Sequence, residues 1–255
     1  MTRTIPTPAW PLPVVGAEPP RPDSLLLKRF ERVSAATACA ILHKLGIRRT
    51  WLEGPTPLAA APHTVGVART LLLMPQREDV VSGLDQEYVE RHSALWRVFD
   101  DVMPGDMLVV QANGAPRTGC VGEILATAFA ELGGRGIVVD GRVRDTPALT
   151  ELGLPVWCTG ATPHYASQDE LFPWGFHVPV QVGGCLVLPG DIIVADRDGA
   201  VVVPARLAEA VADRAEEHED WEAFSRDRVR AGARLSDYYP LNEATRREFE
   251  KERGR

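Results

Sequence analysis

An α/β domain with parallel strand pairing is what this sequence predicts, and three observations carry it. The runs Gly136-Ile-Val-Val139 and Pro155-Val-Trp-Cys158 read as buried strands, each preceded by helical sequence. Between Glu123 and Leu132 the decapeptide EILATAFAEL reads as a helix, opened by Gly122 and closed by Gly133-Gly134. The turn-plus-strand unit Pro104-Gly-Asp-Met-Leu-Val-Val110 returns as Pro189-Gly-Asp-Ile-Ile-Val194, a hint at related halves.

The elements follow in order. Pro6, Pro8, Pro11, Pro13, Pro19 and Pro20 make residues 1–23 an extended arm, suited to packing on a neighbouring subunit. Ser24 is positioned to cap a short helix over Leu25 to Phe30. Ser34 caps a small-residue helix that Gly46 stops. Val65 to Met74 reads as a strand and Glu87 to Phe99 as an amphipathic helix. A short helix is expected over Pro147 to Leu152, and residues 178–203 form several short strands joined by turns. Residues 205–231 form a long charged helix, and Tyr238-Tyr239-Pro240 begins an irregular tail. The expected organisation is an arm (1–23), one domain without an internal linker (24–240) and a tail (241–255).

With 255 residues, 45% hydrophobic and 25% charged, the chain has the make-up of a soluble globular protein with ample core. A net charge of −7 argues against an extended nucleic-acid groove, so an anionic substrate needs a local positive feature. No apolar run reaches membrane-spanning length and no signal-peptide core opens the chain, which makes the cytoplasm the expected compartment. Cys39, Cys120, Cys158 and Cys185 lack CxxC spacing and read as free thiols in a reducing environment rather than a zinc site.

Two segments can carry chemistry. Ile137-Val-Val-Asp-Gly-Arg-Val-Arg-Asp-Thr-Pro147 is a strand that ends in two acids and two arginines. Pro147 starts a helix there, with Asp145 or Thr146 as its N-cap. A bland reading is complete in itself: Asp140-Gly141 turns the chain, the arginines are solvated and Asp145 caps a helix. Gly119-Cys-Val-Gly-Glu-Ile-Leu-Ala126 is a glycine-rich loop feeding a helix. Its N–H groups suit a carboxylate or phosphate, or Gly122 merely lets the helix start close to the sheet.

Taken together, GEILATAFAELGGRGIVVDGRVRDTPAL and VPVQVGGCLVLPGDIIVADRDGAVVVP resemble the RraA-like family. That family includes divalent-metal pyruvate aldolases acting on 4-hydroxy-4-methyl-2-oxoglutarate and 4-carboxy-4-hydroxy-2-oxoadipate. Its pattern is close to GELLA, a helix, then GxVxDGxVRD, and the likeness spans roughly residues 30–240. The resemblance implies a swivelling β/β/α fold and a class II pyruvate aldolase. Gly122, Glu123, Ile124, Leu125 and Arg144 would bind a small 2-oxo acid, Asp145 would ligate Mg²⁺ or Mn²⁺, and Glu123 would hold a water on the ion. Oxaloacetate decarboxylation is an implied side activity, because breaking a C–COO⁻ bond leaves the same enolate. A Schiff-base route is disfavoured: the only lysines are Lys28, Lys44 and Lys251, none beside the motif. The resemblance also implies a homotrimer, sometimes paired into a hexamer, whose sites lie between subunits; Glu219 or Glu222 of an adjacent chain would add a carboxylate.

Family members also regulate ribonuclease E by binding it without chemistry, which is the alternative function. Retention of Arg144, Asp145 and an acid at position 123 favours the enzyme. His164 and His177 flank the aromatic segment HYASQDELFPWGFH, which either lines the pocket entrance or is a surface loop. Asp196-Arg-Asp-Gly199 is a hairpin turn more simply than a metal loop, and EEHEDWE (Glu216 to Glu222) a solvated helix face.

Overall fold

Buried β-branched runs form the centre of the molecule. A computed structural model describes residues 12–60, 62–77, 93–166 and 170–254. In chain order the first elements are β1 (Val14–Val15), α1 (Ser24–Phe30), α2 (Ala35–Lys44), β2 (Thr56–Pro57) and β3 (Thr64–Pro75). Then come α3 (Ala94–Asp100), β4 (Asp106–Gln111), α4 (Glu123–Glu131), β5 (Gly136–Val139), β6 (Arg142–Val143) and α5 (Thr146–Leu152). They are followed by β7 (Val156–Cys158), β8 (Gly160–Ala161), β9 (Leu171–Phe176), β10 (Val180–Val182), β11 (Cys185–Val187), β12 (Ile192–Asp196) and β13 (Gly199–Val203). Helices α6 (Ala208–Arg230), α7 (Leu235–Tyr238) and α8 (Glu243–Arg253) end the chain.

The sheet runs β1-β9-β3-β4-β5-β7-β2, with the β12–β13 hairpin joined to β3. Strands β3, β4, β5 and β7 are parallel, as the sequence predicts. Long β3 pairs antiparallel with β12 through its first half and with β9 through its second. Alternation along β4 and β5 feeds two cores. Leu108, Val110, Ile137 and Val139 pack with α3, α4 and α5, whereas Met107, Val109 and Val138 face the β10–β11 hairpin. A third core joins α1, α2 and α6 to β12 and β13.

The two Pro-Gly-Asp turns are built alike. Gly105 and Gly190 adopt φ of +95° and +89°. Met103 N donates to Asp106 Oδ2 at 2.9 Å, as Leu188 N does to Asp191 Oδ2 at 2.9 Å. Their surroundings differ. Asp191 also accepts from Ala205 N at the entry to the last long helix, whereas Asp106 is an ion-pair partner.

Several expectations are corrected. Asp23, not Ser24, caps α1: its carboxylate accepts from Leu25 N at 3.0 Å, and Ser24 is already helical. The tail after Pro240 is not irregular but carries α8. Asn242 caps it through Ala244 N and Thr245 N, and Phe249 packs on Phe224 of α6. The segment predicted as helical from Glu87 is described from Ser93 onward, where Ser93 caps α3; residues 87–92 lie outside the described residues. Ser34 and Gly46 bound α2 as predicted, and Asp196↔Gly199 closes the expected hairpin. No helix among the described residues is long and apolar enough to cross a membrane.

The arm after residue 11 is strapped to the sheet. Strand β1 adds parallel to β9, and Arg21 reaches the buried carboxylate of Asp106. The opposite face of that carboxylate holds Arg69, at 2.8 Å, and Arg69 in turn donates to His177 Nε2 at 2.9 Å. Because arginine only donates, His177 keeps its proton on Nδ1, a buried atom without a partner among the described residues. Desolvation, then the Arg69 charge, lowers the His177 pKa; Asp101, Glu18 and Asp106 act weakly the other way. The unfolded chain therefore takes up this proton near pH 6.5 while the native one does not. Stability contributed by neutral His177 is present above that pH and falls as pH drops towards the depressed native value. Thermal melts of wild type against His177→Asn, a residue tolerant of the φ of +53° found there, should show a difference that shrinks from pH 7.5 to 5.5. A difference independent of pH would reject the assignment.

Candidate functional site

Strand β5 delivers its charged end into a set of short pairings. Asp140, buried rather than in an open turn, accepts from the N–H groups of Ala112 and Asn113 and ties the end of β4 to the end of β5. Desolvation raises its pKa, and those N–H groups partly offset the shift. Beyond Gly141, β6 pairs parallel with β8 on one side. On the other side Cys120 N donates to Arg142 O at 2.9 Å and Arg144 N to Val121 O at 3.0 Å. The glycine loop and the RD motif are therefore neighbours through backbone hydrogen bonds, which fixes where Arg144 emerges.

Asp145 stands at the N-cap position of α5 but does not cap it. Its backbone is left-handed (φ +55°) and no side-chain bond reaches its own helix. Its Oδ2 instead accepts from Glu123 N of α4 at 3.2 Å and lies 3.3 Å from Arg144 Nε. The first N–H of the glycine-opened helix thus meets the chain's own carboxylate, where the sequence suggested a ligand's. A non-glycine residue held at positive φ costs free energy that a functional constraint can explain, and Asp is among the residues that tolerate it. Gly122 is required for the juxtaposition: a Cβ there would lie 2.5 Å from Asp145 Oδ2 and 2.8 Å from Arg144 Nε.

A cleft of about 240 Å³ opens beside these groups. Gly119, Cys120, Gly122, Ile124, Leu125 and Arg144 line it from the motif, and Leu95, Trp96, Tyr165 and Ala166 from elsewhere. The structure therefore brings Gly122, Ile124, Leu125, Arg144 and Asp145 together, with exposed Glu123 in the first turn of α4. Asp145 suits a hard divalent cation. Its carboxylate is two-fifths exposed, one oxygen is fixed by Glu123 N and Arg144, and the other has no partner among the described residues, which fits an ion that keeps several waters. Among the described residues no group of three or more His, Cys, Asp or Glu side chains converges as a metal cage.

The other candidates lie elsewhere. Glu219 accepts from Thr37 Oγ1 at 2.8 Å, and Glu222 pairs with His218 at 3.2 Å and Tyr239; within one chain neither joins Arg144. Glu216 pairs with Arg29, so the acidic helix face is partly engaged rather than wholly solvated. The aromatic segment divides. Tyr165 and Ala166 line the cleft, while Leu171–Phe176 is a sheet strand rather than a surface loop; residues 167–169 lie outside the described residues. His164 bonds Thr162, and His177 belongs to the Arg69 cluster. Sequence reasoning missed Leu95, Trp96 and Cys120 as lining residues. The signal available was a tryptophan beside Arg97, on the polar side of the helical pattern Ala94, Leu95, Val98, Phe99.

A family model described as RraA-like (Aldolase/RraA) matches residues 35–202. A Halalkalibacterium halodurans protein provisionally named 4-hydroxy-4-methyl-2-oxoglutarate aldolase is 32% identical over 159 residues, 62% of this chain and 68% of that protein. The Thermus thermophilus protein named 4-hydroxy-4-methyl-2-oxoglutarate aldolase is 34% identical over 115 residues, 45% of this chain and 69% of that protein. Among solved structures, Streptomyces coelicolor RraAS2 is 56% identical with a TM-score of 0.74, covering 81% of this chain and 98% of that one. It is described as an unusual member of the RNase ES inhibitor RraA protein family. The α/β fold expected from the sequence is the RraA-like fold.

Proposed function

The chain belongs to the RraA-like family, and from that premise we propose that it is a divalent-metal-dependent lyase releasing pyruvate from a 4-hydroxy-2-oxo acid. The observation that carries this reading is the consecutive pair Arg144-Asp145, delivered to one cleft against the N-terminus of α4. Asp145 would hold a divalent cation, Mg²⁺ or Mn²⁺, which would supply Lewis acidity when bound. Asp145 is held for this by Glu123 N and Arg144. Arg144 offers a fixed positive charge to the substrate's carboxylate and to the charge that develops on C2 oxygen. In the cleavage direction the C4 hydroxyl loses its proton and C4–O becomes a carbonyl. The C3–C4 pair moves into the C2–C3 enolate, and C3 then takes a proton to give pyruvate. Glu123, exposed in the first turn of α4 between the lining residues Gly122 and Ile124, serves this relay through water. Oxaloacetate decarboxylation passes through the same enolate. The four free cysteines fit a reducing cytoplasm.

Pyruvate release from a panel of 4-hydroxy-2-oxo acids is expected to stop in EDTA and return with Mg²⁺, and borohydride with substrate should leave the enzyme active. Full activity in chelator would sink the metal assignment. A second reading, inhibition of an RNase E-type ribonuclease by binding, is favoured by the 56% identity to RraAS2. Ribonuclease inhibition without pyruvate release from any acid of the panel would establish it instead.

The assembly proposed is a homotrimer or hexamer with sites between subunits. One chain supplies few ligands, and a hard cation so held binds weakly. In a closed ring the long α6 of one subunit can bring Glu219 or Glu222 to the next subunit's Asp145. Mixing inactive Asp145→Ala with inactive Glu219→Ala or Glu222→Ala should recover part of the activity through hybrid sites. A fully active monomer in light scattering would refute the shared site.

A further inference from the structure

The two segments that make the site share one root. Strand β4 leads through residues 112–118 into the glycine loop, and β5 leads through Gly141 into β6 and the RD pair. At the root stands the buried Asp140. Four backbone groups of the first segment bind it: its N–H donates to Val110 O at 3.3 Å, its Oδ1 accepts from Ala112 N and from Asn113 N, and its carbonyl accepts from Gly114 N at 2.6 Å. Successive N–H groups that converge in this way form an anion-binding concavity, here filled by the chain's own carboxylate. The turn that presents them holds a non-glycine residue, Asn113, at φ +52°, a backbone cost that its surroundings must offset. Gly141 permits the close approach, since a Cβ there would lie 2.6 Å from Ala112 Cβ. A carboxylate is a costlier acceptor to bury than an amide. What it adds is stronger, charge-assisted bonds.

Beyond the root the two segments run side by side. Gly119 bridges Arg142, Cys120 N donates to Arg142 O, Arg144 N to Val121 O and Glu123 N to Asp145 Oδ2. These bonds close a ring with Asp140 at one end and Asp145 at the other. Resting on the lyase reading above, we propose that Asp140 is a positioning residue for the metal and substrate groups. It clamps the roots of both segments so that Asp145, Arg144 and the first turn of α4 meet at the cleft. The residues lining the cleft do not include Asp140, so it acts through the ring and touches neither ion nor substrate.

The test compares wild type with Asp140→Asn and Asp140→Ala, each well below its melting temperature. Titration calorimetry gives the Kd for Mg²⁺, and mass spectrometry follows amide hydrogen exchange over residues 119–123 and 141–146. Alanine removes the acceptor of two N–H groups, so Kd should rise at least about tenfold, the lower end for a metal site's outer partners. Asparagine keeps a neutral oxygen for the same two groups and should give an intermediate rise, at least about threefold. Exchange should quicken in both segments, in the same order of variants. A packing role alone would lower the melting temperature and leave the Kd of the folded protein unchanged. A wild-type Kd in Asp140→Ala would therefore overturn the inference, as would faster exchange confined to 141–146. If Asp140→Ala does not fold, a wild-type Kd in Asp140→Asn overturns it equally. Wild type that binds no Mg²⁺ would overturn the metal reading instead. Exchange would then decide the clamp by itself: quickening in both segments upholds it, and any other pattern rejects it.

Discussion

Asp145→Asn is expected to abolish pyruvate release and Mg²⁺ binding while the melting temperature barely moves. Asparagine tolerates the left-handed backbone at φ +55° and can still accept the Glu123 N–H bond, so the local geometry survives. Stability should stay within about 0.5 kcal/mol of wild type, as for other surface substitutions that keep their contacts. A neutral amide is a much poorer ligand for a hard cation, so the loss should exceed the roughly 10–100-fold typical of a metal site's outer partners. Asp145→Ala adds up to about 1 kcal/mol from the lost bond to α4. Titration calorimetry with Mg²⁺, melting curves and pyruvate assays on both variants separate the roles. Retained turnover in Asp145→Asn would reduce Asp145 to a cap for its neighbour.

Gly122→Ala is the second large effect, and it should separate fold from activity. The backbone at Gly122 is extended (φ −123°), so alanine is conformationally permitted there. The new methyl would collide with Asp145 Oδ2 and Arg144 Nε, the ends of two side chains that can swing away. Folding should therefore lose little. The displaced groups are the ones proposed to hold the ion and the substrate charge. Misplacement of about 1 Å at reacting groups costs on the order of a hundredfold. We expect kcat/KM to fall by about that much or more with melting shifted by only a few degrees. An active Gly122→Ala enzyme would show that the close approach of loop and RD motif is packing alone.

Much of this was legible along the chain. Local rules placed the strands and helices because burial period, Ser34, Gly46 and the paired Pro-Gly-Asp turns act over a few residues. The two motifs could be found as well, since each is continuous. The role of Asp145 could not. Position before Thr146-Pro147 marks it as the cap of α5, and only the pairing of Arg144 with Val121 turns its carboxylate to the other helix. The segment from Leu171 to Phe176 reads as an aromatic loop because its proline and glycine hide a strand; its register against β3 shifts between Leu72 and Leu73. The helix after Pro240 was missed for a similar reason: its polar sequence needs Phe224 to give Phe249 a partner.

By itself the sequence determined most of the elements, the strand Leu171–Phe176 and the helix Glu243–Arg253 excepted, and that an arginine and an acid stand at the end of a buried strand. It could do so because propensity, capping and motif content are properties of neighbours in the chain. The tertiary structure decided which carboxylate caps which helix, that Glu219 and Glu222 are engaged elsewhere within one chain, and that Trp96 and Tyr165 wall the cleft. Those depend on sheet order and on contacts between residues tens of positions apart, and no local rule carries that information.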